Sequence, residues 1–225
     1  MSPTTFDQLS SVTRLSHKYN IGDLEDQAIR CLKALFTDSW EVFIHDGDRF
    51  FQEIEVLPVH AIGVVNLARL TGTPSILPSA LYLCCQLGST IFDGWTREDG
   101  QTEHLSREDL RRYVDGRMAL TREALPILLD IFDVSAIEDC KSRRVCDDGI
   151  KKTTMDAMGN AHASEPSIFY SWSEVIQRGA RAYGICNTCK ALLLSRDDET
   201  MKRTWAKLPD LMGVEVDDWE TPDGD

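Results

Sequence analysis

The sequence predicts an all-α protein, an irregular multi-helix bundle. Apolar residues recur at intervals of three or four through most of the chain, proline, glycine and serine punctuate it where those stretches begin and end, and alternating β-branched runs are scarce. With 225 residues, 42% of them hydrophobic and 27% charged, the chain can bury a core in one large domain or two small ones.

Residues 1–38 read as a helical hairpin. Phe6, Leu9, Val12, Leu15 and Tyr19 share one face of a helix that stops at Asn20-Ile21-Gly22, and Leu24, Ala28, Cys31, Leu32 and Leu35 repeat the pattern beyond it. Asp23 suits the partial positive charge at the start of the second helix. Residues 39–57 form an aromatic-rich connector, with Trp40, Phe43, Phe50 and Phe51 around an Asp46-Gly47-Asp48 turn. A helical core follows at 58–135. Pro58 opens a mostly buried helix carrying Ile62, Val65, Leu67, Ala68 and Leu70, which ends near Gly72-Thr73-Pro74. Pro78 opens a central helix that is apolar nearly all round. Residues 92–104 read as a long polar loop. Ser106, three residues before Asp109, marks the next helix start, and Pro126 marks a break or a new start before Leu128, Ile131 and Phe132. Residues 136–213 form a cysteine-containing helical subdomain with helices at 138–158, 171–183 and 190–207, and residues 214–225 an acidic tail.

The net charge of -13 argues against binding a phosphate backbone, so no nucleic-acid partner is expected. No stretch approaches the ~20 apolar residues that span a bilayer. No signal-type apolar run occupies residues 1–16, and an odd count of seven cysteines fits a reducing compartment, so the expected location is intracellular, cytoplasmic or nuclear.

Chemistry concentrates in Cys140, Cys146, Cys186 and Cys189. Cys186-x-x-Cys189 is a good half of a tetrahedral zinc site, because two intervening residues let both sulfurs face one ion. Cys140 and Cys146 are harder to combine. Six helical steps of ~100° would put their thiols on opposite sides of the axis, so a site demands a turn or a helix start between them. Lys141, Arg143 and Arg144 would lower the thiol pKa and offset the charge of a tetrathiolate. Three readings stay open: one structural zinc ion, ordinary free thiols, and a disulfide or redox-sensing pair. A thioredoxin-like role lacks its βαβ context. Cys31, Cys84 and Cys85 read as core residues. No metal-binding His helix, nucleophile elbow, phosphate loop or dinucleotide fingerprint occurs, so no enzymatic activity is expected. His45 with Asp46 and Asp48 reads as a solvated turn, and Lys141, Arg143, Arg144, Lys151 and Lys152 as a solvated face. Trp172, Trp205 and Trp219 fall near helix ends, where they cap the core or anchor a partner peptide.

Several short motifs occur in an order that resembles the region following the BTB domain in fungal BTB-domain proteins. Leu15-Ser16-His17-Lys18-Tyr19-Asn20-Ile21 with Leu24 and Ala28 looks like the helix pair that closes a BTB fold. Val65-Asn66-Leu67-Ala68-Arg69 with Ile76-Leu77-Pro78 and Ala80-Leu81-Tyr82 is similar to that family's buried helix pair. Leu105-Ser106, Asp109 and Gly116-Arg117 resemble its next helix, and Trp205-x-x-Leu208-Pro209 with Gly213 and Trp219 its C-terminal signature. The four cysteines fall where the family often carries paired cysteines. The resemblance implies a non-catalytic protein-interaction module of an adaptor or scaffold, with a protein partner. The BTB domain itself is not found before Phe6, so the hairpin seam is expected to be exposed and to form a homodimer through Leu9, Val12, Leu24 and Leu32.

Overall fold

The computed structural model describes residues 4–45, 54–133, 140–217 and 219–220, and these form an all-α, multi-helix fold. Thr5 opens α1 (Phe6–Tyr19) with a reciprocal capping box: its hydroxyl accepts from the Gln8 N–H at 3.2 Å, and the Gln8 side chain accepts from the Thr5 N–H at 3.4 Å. Asn20, in the left-handed region at φ 56, ends that helix. The chain continues through α2 (Gly22–Leu35), α3 (Trp40–His45), α4 (His60–Thr71) and α5 (Leu77–Gln86), then α6 (Arg107–Ile131), α7 (Arg143–Met158), α8 (Ser173–Tyr183), α9 (Asn187–Ala206) and α10 (Leu208–Leu211). Two minimal strand pairs accompany them, β1 (Thr4–Thr5) parallel to β2 (Ile54–Glu55) and β3 (Trp95–Thr96) antiparallel to β4 (Thr102–Glu103).

The chain divides into two compact units, one of Met1–Arg117 with Ala206–Asp225 and one of Met118–Trp205. The division falls inside α6, upstream of the boundary expected near residue 135.

In the first unit α1 packs on α2 and α4, and α4 on α5. Phe6 stacks on His60 at 4.6 Å between ring centroids and meets Trp95 at 5.0 Å. Gly63 admits that indole, since a Cβ there would stand 2.4 Å from its ring. α5 is buried nearly all round, as its apolar sequence predicts, and its buried Leu77 and Leu81 each contribute roughly 1.5–3 kcal/mol. Two carboxylates, Glu103 half-buried and Asp109 buried, hold the periphery. Glu103 accepts a two-pronged contact from Arg14 at 2.7 Å to each oxygen, and bonds from Asn66 and Arg97. Asp109, 2% exposed, takes Arg69 at 2.6 Å and the Ser106 hydroxyl at 2.9 Å, while the Ser106 oxygen caps α6 by accepting from the Asp109 N–H at 3.0 Å. Burial opposes ionisation of Asp109, yet these hydrogen bonds and the charges of Arg69 and Arg112 hold its carboxyl below the ordinary range.

In the second unit α7 buries Cys146, Gly149, Ile150, Thr153 and Ala157 against α8. Asp197 on α9 is buried and caps α8, accepting from the Trp172 N–H at 3.1 Å and from Ser171 at 3.0 Å; burial raises its carboxyl above the usual range.

Several expectations are corrected. The buried face of α1 is Phe6, Leu9, Ser10, Thr13 and Ser16, because the small hydroxyls bond back to their own helix: Thr13 donates to Leu9 O at 2.8 Å and Ser16 to Thr13 O at 3.0 Å. Leu15 and Tyr19 are exposed instead. Cys31 is also exposed. The supposed loop at 92–104 contains the β3–β4 hairpin. α6 runs unbroken through Pro126, which is exposed, while Leu128 and Ile131 beyond it are fully buried. α9 begins at Asn187, three residues before the expected start. The Asp46-Gly47-Asp48 turn, Phe50, Phe51, residues 138 and 139 of the expected cysteine-bearing helix, Asp218 and residues 221–225 of the acidic tail lie outside the described residues.

Candidate metal centre

Each cysteine pair straddles the start of a helix. Cys140 precedes α7 and Cys146 is its fourth residue; Cys186 precedes α9 and Cys189 is its third. Cys146 heads the buried stripe of α7, and Cys189 heads that of α9, which continues through Leu193, Asp197 and Met201. The helix start that the Cys140–Cys146 spacing demands is therefore present, at Arg143.

Close packing brings the two starts together. A Cβ on Gly179 of α8 would come within 2.1 Å of the Thr153 hydroxyl on α7, so the glycine is what allows that crossing. A Cβ on Gly149 would likewise stand 2.9 Å from Ile185 and 3.1 Å from the Tyr183 carbonyl, so the turn before Cys186 lies against α7. Gly184, at φ +72, ends α8 and reverses the chain two residues ahead of Cys186.

The four sulfurs lie within 4.8 Å of one another, with Cys140 and Cys186 at 3.9 Å. Tetrahedral coordination with metal–sulfur bonds of ~2.3 Å requires sulfur–sulfur edges of about 3.8 Å. Inward shifts of order 0.6 Å per sulfur close that gap. Two backbone donors already point at the sulfurs. The Cys186 N–H donates to the Cys146 sulfur at 3.3 Å, and the Cys189 N–H to the Cys186 sulfur at 3.5 Å. The second bond makes Cys186 the capping residue of α9, a place ordinarily taken by a Ser or Asp oxygen. It also draws the Cys186 thiol down to about 7, while burial pushes the thiols of Cys146 and Cys189 up. Exposed Lys141, Arg143 and Arg144 add positive charge at the start of α7.

All four predicted ligands are thus brought together, and they can hold one metal ion. The sequence reading missed the backbone donors, although Gly184 just ahead of Cys186 signals a helix end followed by a new start.

Among the described residues, no other group of three or more His, Cys, Asp or Glu side chains is placed to hold a metal ion. The Nδ1 of His162 meets both the Ser167 hydroxyl at 3.0 Å and Glu165 at 3.2 Å, so one nitrogen serves both partners and no acid–imidazole–hydroxyl relay forms. Cys84 and Cys85 are buried, and burial pushes the Cys85 thiol to about 12, partly countered by Arg117. Trp172, Trp205 and Trp219 are core residues. An apolar cavity of about 220 Å³ in the first unit is lined by Phe36, Val56, Leu57, Pro58, Ala61 and Leu83, with no titratable group among them. The cluster drawn from His45, Asp46 and Asp48 falls largely outside the described residues, as does the His45 side chain. No helix among the described residues is long and apolar enough to cross a membrane.

Comparison with protein-family models, with curated proteins and with solved structures finds no match for the chain.

Proposed function

We propose that the chain is a non-catalytic protein-interaction module, the helical part of a BTB-type adaptor, in which one zinc ion bound by Cys140, Cys146, Cys186 and Cys189 braces the helices of residues 118–205. The observation that carries this reading is the convergence of four thiols from two helix starts. Thiolates select soft or borderline ions, and four of them fill a tetrahedral shell without leaving a position for water or substrate, which is the arrangement of structural rather than catalytic zinc. The backbone donors to Cys146 and Cys186 stabilise thiolate charge, as outer-shell groups do in such sites.

The interaction role draws its support from the motif order and from the exposed apolar residues at the tip of the first hairpin. Leu15 (53% exposed), Tyr19 (64%) and Ile21 (48%) lie at the end of α1 and in the turn, with Leu24 in the first turn of α2. The occupant to which this reading commits is a second copy. Leu9 and Leu32, expected from the sequence to form that contact, are buried inside their own unit and Val12 is half-buried, so Leu24 and its exposed neighbours replace them.

X-ray absorption at the zinc edge tests the metal assignment. Four sulfur scatterers at about 2.3 Å are expected; nitrogen or oxygen ligands, or a different metal, would overturn it. Light scattering tests the pairing: a dimer is expected, reduced to monomer by Tyr19→Ser with Leu24→Glu, and a strict monomer before substitution rules it out.

A further inference from the structure

Two of the four thiols are half-buried and in contact with each other, while the other two are sealed in the core. Cys140 and Cys186 are the accessible pair, with sulfurs 3.9 Å apart, and Cys146 and Cys189 are 0% exposed. Position sharpens the contrast. The buried pair is fixed inside α7 and α9, and the accessible pair stands just ahead of those helices, with Cys186 engaged through its carbonyl, which accepts from the Lys190 N–H at 2.9 Å. A disulfide places its sulfurs about 2.05 Å apart, so Cys140 and Cys186 must approach by roughly 1.9 Å.

We propose that Cys140 and Cys186 are an oxidation-sensitive pair, which peroxide converts to a disulfide with loss of the bound ion. The identity of the ion lost rests on the zinc reading; the pairing does not. Hydrogen peroxide transfers one oxygen to the Cys186 thiolate, taking two electrons from sulfur, giving a sulfenic acid and, with one proton, water. The Cys140 thiolate then attacks that sulfur, the sulfur–sulfur bond forms, and hydroxide leaves to take up a proton as a second water. Peroxide is reduced to two waters by the two electrons the thiolates lose. The ion, left with two thiolates from the original four, departs as Zn²⁺.

Cys189 is the rival partner for Cys186, being three residues away. Its sulfur is sealed in the core, and its N–H holds the Cys186 sulfur over the start of α9. Cys140 reaches the oxidised sulfur from the open side. The resulting link spans 46 residues and joins the chain entering α7 to the chain entering α9, so oxidation replaces the tether that the ion had provided.

The test uses the zinc-loaded 225-residue chain carrying Cys31→Ser, since Cys31 is exposed and would cross-link copies. After peroxide treatment and alkylation of remaining thiols, peptide mapping identifies the disulfide and a chromogenic chelator counts released zinc. The expected result is a Cys140–Cys186 peptide pair with one zinc released per disulfide, reversed by dithiothreitol and added zinc. A Cys186–Cys189 or Cys146-containing bridge, or zinc release without any disulfide, overturns the proposal. Untreated protein that takes up no zinc defeats the metal reading alone, because the peptide map of that metal-free protein still decides which cysteines pair.

Discussion

Cys146 and Cys189 differ from Cys31 only in where the fold places them, and that difference decides what each thiol does. Serine at either buried position removes a soft ligand and leaves a hydroxyl in the core. Cys146→Ser or Cys189→Ser is expected to abolish stoichiometric zinc binding and to cost more than about 4 kcal/mol in denaturant unfolding, the range associated with metal loss. Cys31→Ser, on the exposed side of α2, is expected to stay within about 0.5 kcal/mol. Asp109 gives a residue-scale prediction of another kind. Its folded carboxyl titrates below its unfolded value of about 3.9, so the stability it contributes is complete above that value and is lost as pH falls through the lower, folded one. Asp109→Ala is expected to cost about 3 kcal/mol at neutral pH and to flatten the acid limb of the stability curve, measured by urea unfolding between pH 2 and 6 (a window of about two units either side of the carboxylate range).

Elements were legible in the sequence where local chemistry decided them. Asn20 and Gly72 mark helix ends, Pro78 and Ser106 mark starts, and all four show the backbone or capping geometry those residues favour. What stayed hidden was decided by packing. The apolar set Phe6, Leu9, Val12, Leu15 and Tyr19 looked like the inner face of α1, but burial follows Ser10, Thr13 and Ser16, whose hydroxyls are satisfied by their own helix and whose small size lets neighbours approach. The β3–β4 hairpin had a signal, Asp99-Gly100 between Trp95-Thr96 and Thr102-Glu103, that was masked by its polar composition. The four cysteines that could hold a metal ion were singled out by their spacing, whereas the crossing that unites them depends on Gly179 and Thr153, which carry no motif. Gly179→Ala is therefore expected to destabilise the second unit by about 2 kcal/mol, and Thr153→Ala in the same chain to recover part of that loss; additive losses would contradict the contact. Thr5→Ala, removing the capping box of α1, is expected to cost about 1 kcal/mol by thermal or urea unfolding.

At the scale of the whole molecule, two units with different means of support share one chain. The first relies on a conventional apolar core of α1, α2, α4 and α5, ringed by the Glu103 and Asp109 ion pairs. The second buries hydroxyls, a carboxylate and two cysteines alongside its apolar residues, and under the proposed zinc assignment an ion braces it at the starts of α7 and α9. Chelation is accordingly expected to affect the units unequally, with hydrogen exchange accelerating in α7 and α9 while α4 and α5 stay protected. The most direct measurement is the zinc content of protein purified without added metal, paired with thermal unfolding before and after a strong chelator. One zinc per chain, and a lower unfolding midpoint after chelation that added zinc restores, is the predicted result. Metal-free protein whose unfolding is unchanged by either zinc or chelator would contradict the claim that the four-cysteine cluster is a structural metal centre.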